Sequence, residues 1–484
     1  MYNTSQIRAL AYLLGAIAAS ILTAVGMPLA GAIVCVIAAF GFCYAEITAR
    51  RAGVVHLDIF FVLAFAVYSL NVPIFVHLTP KDLSLDLVNR GLLICTLCHF
   101  GLAMGFMFVR FVPPADAGGR PPDRYSLTPR QMYGASYTLF FIGLAISFVA
   151  VVLTVGFEAY LSAGYAGRAL LKRDAGPIEI GLYVCATSLV TIFCVRQIYQ
   201  RRGRFEKIFL YSALALFVAY VAFLGIRRPI FLLIGGIFAG YSVIYFRPSV
   251  IKSSLIVIPA FLILSSFAQY RQIISSEGVE ATVNFIRDNA SISWLDFSDN
   301  ELGAPFRTLY DELPNIDREG FLYGGSYVNV PAYMLPSAIN GGVESLSMKY
   351  TERYFDPRFI SIGGNMGYFS ATEAYYNFGY IGCVAMFAIM SFLLGKLNFW
   401  FFQNWRGTPL AISFYSILIP WVAFFIRLDF GSFAKSYFYS QFICFPILYM
   451  LAQVFSAKTG PRSSLIDGER LRVRPGSGDR NLLS

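Results

Sequence analysis

Runs of about twenty apolar residues recur along almost the whole chain, separated by short polar punctuation. An α-helix needs a run of that length to cross a hydrocarbon layer roughly 30 Å thick, whereas membrane β-strands need about half of it and alternate in polarity. The runs therefore predict an all-α polytopic membrane bundle. Only 14% of the 484 residues are charged and 57% are hydrophobic, where soluble proteins carry roughly a quarter charged residues, so lipid is the expected solvent.

About twelve spans are expected, at 9–26, 28–46, 57–77, 91–112, 134–156, 177–196, 208–225, 229–246, 252–270, 372–395, 408–426 and 437–456. Nine fall within 1–270 and three within 372–456; between them lies a large loop, 271–371, and after them a tail, 457–484, whose Gly, Pro, Ser, Arg and Asp predict disorder. A secretory signal is the competing reading of the first run, but its apolar region is long and a second run follows almost at once.

The formal charge of +10 raises the question of nucleic acid. The Lys and Arg residues, however, sit mainly in the short connections, which points to topology and away from nucleic acid. With the N-terminus inside, 22 basic residues fall on inner segments and nine on the shorter outer ones, so both termini are expected in the cytoplasm. The large loop then lies outside. It holds thirteen acidic against seven basic residues, which does not oppose this orientation because long loops translocate regardless of charge. Its tyrosines and helix-like stretches read as an ordered cap.

Eight cysteines all lie in apolar runs, which argues against a disulfide framework. Cys95-x-x-Cys98-His99 matches a haem-attachment pattern but sits inside a span, where attachment chemistry has no access. No histidine cluster has zinc-ligand spacing, Asp299-x-Glu301 is an acidic pair of a kind common by chance, and no nucleotide-binding fingerprint appears in the inner loops. No cofactor and no metal are expected.

The candidate chemistry lies at the outer boundary. In Gly225-Ile226-Arg227-Arg228-Pro229 two arginines occupy an outer turn against the topology rule, and Pro229 suits the first turn of an outward-starting helix. Guanidiniums and free backbone N–H groups there make a pyrophosphate site; the other reading is a pair of arginines snorkelling to head groups. Arg271, after Tyr270, and Arg427 each end a span at the same face, where the helix dipole and lipid phosphates also account for a cation. In Ser370-x-x-Glu373-Ala374-Tyr375-Tyr376-Asn377, Glu373 and Asn377 share a helical face. Glu373 is either a proton acceptor or an arginine partner, and Ser370-x-x-Glu373 also fits a capping box.

With these residues in view the chain resembles the Wzy-type oligosaccharide repeat-unit polymerases, the O-antigen polymerases of the GT-C class. The resemblance rests on the twelve-span pattern with one large late outer loop, the turn at Arg227-Arg228, the span end at Tyr270-Arg271, and Glu373 through Gly379 to Gly382. It implies transfer of a growing glycan from undecaprenyl pyrophosphate onto a new lipid-linked repeat unit in the bacterial inner membrane, alongside a flippase and a chain-length regulator. In that reaction Arg227, Arg228, Arg271 and Arg427 would receive the pyrophosphate, Glu373 would act as base, and Tyr270, Tyr376 and Asn377 would bind substrate. An Arg-x10-Gly spacing noted for some such enzymes runs from Arg90 to Gly101 and from Arg353 to Gly364. The related ligases carry an important histidine in the large loop, and this loop has none. A lipid-glycan flippase or other transporter is the remaining alternative, but it would place charge at mid-membrane and show internal repeats.

Overall fold

The computed structural model describes residues 4–50, 56–78, 83–109, 127–154, 156, 176–199, 204–224, 226, 228–245, 302–335, 342–357, 367–405 and 408–457. Every regular element among them is helical. Eight helices come first: α1 Thr4–Ala24, α2 Pro28–Arg50, α3 Leu57–Leu78, α4 Leu85–Met107, α5 Pro129–Thr154, α6 Gly176–Ile198, α7 Arg204–Leu224 and α8 Arg228–Tyr245. A cap follows with α9 Ala304–Glu319, the short α10 Gly325–Val328 and α11 Val330–Met334, and α12 Leu346–Tyr354. The chain returns to the bundle with α13 Ser370–Trp400, α14 Pro409–Arg427, α15 Phe430–Tyr437 and α16 Cys444–Ala457.

Among the described residues ten helices are long and apolar enough to cross a membrane. They coincide with ten of the expected spans. The expected span at 208–225 is helical as α7 but is not among those ten, and the one at 252–270 lies outside the described residues, as do Arg227, Tyr270, Arg271, Asp299, Glu301, Gly364 and the tail beyond 457. Large apolar side chains on the outside of the bundle, such as Ile37, Tyr44 and Leu153, are exposed in the way lipid-facing positions are.

Hydrophobicity cannot drive helices together in lipid, so close backbone approach and buried polar contacts do the work. On α4, Gly101 and Gly105 are four apart, and a Cβ on either would lie 2.4 Å from the Val384 carbonyl oxygen or 2.2 Å from that of Ala388 on α13. Gly143 of α5 and Gly181 of α6 face each other in the same manner. Within the bundle, Tyr12 meets His99 Nδ1 at 2.6 Å and Ser69 meets Nε2 at 3.1 Å, so three helices share one imidazole. Cys95 and Cys98 are buried, as the membrane reading of the haem-like pattern requires. The first run likewise belongs to the bundle, since α1 packs against both α2 and α4.

The cap closes one end. The apolar face of α9, with Phe306, Leu309, Leu313 and Ile316 buried, lies against α3 and α4, and the same helix carries Asp311, Asp317, Glu319 and the buried Glu312. Arg90 of α4 holds Asp317 through two bonds of 2.5 Å and donates to the Tyr375 hydroxyl at 2.7 Å. Leu322 N–H donates to the Tyr376 carbonyl and Tyr368 N–H to that of Arg427, so both the cap and the return strand of chain are tied to the bundle end.

Candidate functional site

The first residues of α13 form a short helical piece of their own. Phe378 (φ −141°, ψ 16°) and Gly379 (φ +63°, ψ −149°) leave helical geometry, and Gly379 adopts a conformation essentially restricted to glycine. A Cβ on Gly382 would lie 2.4 Å from the Ala374 carbonyl oxygen, so the fold-back also requires glycine there. The break leaves residues 370–377 at the bundle end beneath the cap, with Glu373 and Asn377 buried.

Glu373 does not form the capping box. The helix is preceded by Phe369 without a side-chain cap, and the buried Ser370 hydroxyl has no partner. Instead Ser326 Oγ donates to Glu373 Oε1 at 2.6 Å, and the Phe430 N–H donates to Oε2 at 2.6 Å. Asn377 Nδ2 donates to Ser326 Oγ at 2.8 Å and to the Glu373 carbonyl at 2.8 Å, fixing the serine hydroxyl toward the carboxylate. Both carboxyl oxygens are thus engaged by donors, one of them the first backbone N–H of α15. Asp429 caps the same helix, accepting from Ser432 N–H at 2.9 Å and from Ser347 N–H at 3.3 Å. Burial raises its pKa above the ordinary carboxylate range, and the bonds from Ser432 oppose that.

Facing this pair across a cavity of about 230 Å³ is a second set of charges from the cap. Arg353 donates to Glu312 at 3.2 Å and to Glu319 at 3.0 and 3.2 Å. Tyr376, expected to bind substrate, donates to Glu319 at 2.8 Å. That bond first, and Arg353 next, hold Glu319 below its usual range. Glu312 is pushed up to about 7, chiefly by burial. The wall thus carries carboxylates of different proton affinity within one small space, an arrangement common where protons are moved.

Two of the four expected arginines are described and lie together. Arg228 opens α8 beside the Tyr183 hydroxyl and the Glu179 carboxylate, with Arg427 as a like-charged neighbour. Tyr183 also donates to Glu179 at 3.1 Å. The Arg427 guanidinium lies over the Tyr68 ring, 5.8 Å from its centre. Its carbonyl accepts from Tyr368, a cavity residue, and two residues later comes Asp429. The arginine pair and the Glu373 cavity therefore belong to one end of the bundle. Arg227, Tyr270 and Arg271 fall outside the described residues.

Sequence reasoning passed over Ser326, Asp429 and Tyr368, and took Arg353 and Arg90 only as parts of a spacing. Asp429 had a local signal, an Asp followed three residues later by Ser432 at a helix start. Ser326 and the Arg353 partners had none, because their roles come from contacts across tens of residues. Compared with protein-family models, with curated proteins and with solved structures, the chain matches none.

Proposed function

We propose that the protein polymerises undecaprenyl-pyrophosphate-linked oligosaccharide repeat units at the outer face of a bacterial inner membrane, as a twelve-span, GT-C-like glycosyltransferase with both termini in the cytoplasm. The observation that carries this reading is the presence, at one bundle end, of the Arg228–Arg427 pair and of a buried carboxylate that lines a cavity beneath the cap. In the reaction Glu373 takes the proton of the acceptor hydroxyl, the oxygen attacks the anomeric carbon of the growing chain, and the bond to pyrophosphate breaks. The electron pair leaves on the phosphate oxygen, and Arg228 and Arg427, with Arg227 and Arg271, offset the charge that develops there. Tyr270, Tyr376 and Asn377 are assigned to substrate binding, Asn377 through the serine it orients. A flippase supplying repeat units and a chain-length regulator are the partners this activity calls for.

The test is reconstitution in liposomes with lipid-linked repeat units, reading chain length by gel. Wild type should yield a ladder. Glu373→Gln and Arg228→Ala should each slow it on the order of 10²–10³-fold, the range for removing one group that stabilises developing charge. Arg228→Lys should fall between, because lysine keeps the charge and loses the planar fork. A ladder of wild-type length and rate from well-inserted Arg228→Ala protein would sink the pyrophosphate role, and lipid-linked units that cross the bilayer without being joined would point to a transporter.

A further inference from the structure

We propose that the cavity beside Glu373 selects its sugar by charge: it takes a glycan residue that is neutral or carries an amine and turns away one that carries a carboxylate. The proposal rests on the polymerase reading only in naming that sugar the acceptor.

Three carboxylates that line the cavity, Glu312, Glu373 and Asp429, are almost wholly buried. Arg353, a cation of the lining, already carries two carboxylates of the wall. Lys349 lines the cavity too, but its side chain is exposed, where water and salt screen it. Among the described residues the lining is therefore rich in acceptors and short of uncommitted positive charge.

A second observation points independently to an absent ligand. Tyr368 lines the cavity at 1% exposure, its hydroxyl has no hydrogen-bond partner, and it lies within electrostatic reach of Glu312, Glu373 and Asp429. A buried hydroxyl without a partner is unfavourable, so a polar atom entering the cavity would satisfy it. Its ring meets Tyr350 edge to face at 6.0 Å, which sets aromatic surface beside the acceptors. Sugar hydroxyls and ammonium groups bring donors to such a wall. The carboxylate of a uronate brings only further acceptors and, where the wall carboxyls are ionised, a like charge, and like charges placed together in a binding site oppose association.

The experiment measures binding, not polymer. Protein in nanodiscs is titrated calorimetrically with panels of trisaccharides matched in length and built from neutral, amino or uronic residues. Amino and neutral members should bind, and uronic ones should bind at least about tenfold more weakly, the scale of losing a hydrogen bond to a charged group. Glu312→Gln should narrow the amino preference. Tyr368→Phe removes a single oxygen, so it guards against a folding failure of the first variant, and it should weaken neutral ligands by about two- to tenfold. Uronic ligands that bind as tightly as the others, no binding across all three panels, or both variants behaving as wild type would each overturn the proposal. A protein that shows this rank order but makes no polymer keeps the charge selection and loses the polymerase reading; one that polymerises yet prefers uronates does the reverse.

Discussion

Glu312 carries the clearest pH consequence at the residue scale. Its carboxyl is held up at about 7 against an ordinary 4.5, first by burial, with Arg353 pulling it down and Glu319 and Asp311 pushing it up. The folded state thus binds a proton that the unfolded chain has released, so stability is greatest below the unfolded value and falls as pH rises through about 7. Asp311 and Asp429 are shifted the same way, whereas Asp317 and Glu319 are shifted down and lose their contribution as pH falls. The comparison of wild type with Glu312→Gln isolates one group. The thermal midpoint of the variant should decline less between pH 5 and 8, and parallel curves for the two proteins would show that Glu312 does not titrate there. Glu373 was legible in the sequence because a carboxylate beside an apolar run needs a reason to be there. Its partners Ser326 and Phe430 were not, since serine and a backbone amide carry no cost that marks them in advance.

At the scale of elements, the broken start of α13 sets the site geometry. Residues 370–377 stand apart from the long membrane portion because Gly379 takes φ +63° and Gly382 lets the chain approach Ala374. Replacing Gly379 by alanine forces a side chain into a glycine-only conformation and against the Phe321 ring, 3.0 Å from the ideal Cβ. Such strain costs about 1–3 kcal/mol, and it can be relieved by straightening the helix, which would draw Glu373 away from Phe430. Gly379→Ala should therefore lower the melting midpoint in detergent and reduce the proposed chain synthesis, while Gly41→Ala, with open space around its Cβ, should do neither. Unchanged melting and unchanged product for Gly379→Ala would mean that the break does not hold the site. The glycines were visible in the motif that carried the resemblance, but hydrophobic periodicity reads straight through a break of two residues. The same limit explains the expected capping box at Ser370: sequence spacing permitted it, and the cap and α15 supplied Glu373 with better donors.

For the whole molecule, the bundle was legible because lipid imposes one dominant requirement, an apolar run long enough to cross, and ten described helices meet it where expected. The cap was legible only as a long ordered loop; that α9 docks on α3 and α4 through Phe306 and Leu309 depends on complementary faces that composition does not reveal. The proposed orientation rests on charge: the segments expected inside carry the excess of Lys and Arg, and the topology rule keeps such excess in the cytoplasm. Helices of a bundle cannot turn over independently once packed, so one cap residue and one residue at the far end report on the whole. Val328 is 78% exposed in the cap, and Ala49 is exposed near the end of α2, away from it. In intact cells, cysteine at 328 should react with a membrane-impermeant maleimide and cysteine at 49 should not, and permeabilisation should make both react. The native thiols are buried and should leave little background. Labelling at 49 with protection at 328 would invert the map, placing the cavity and the arginine pair in the cytoplasm, where a lipid-linked unit already carried outward would never meet them.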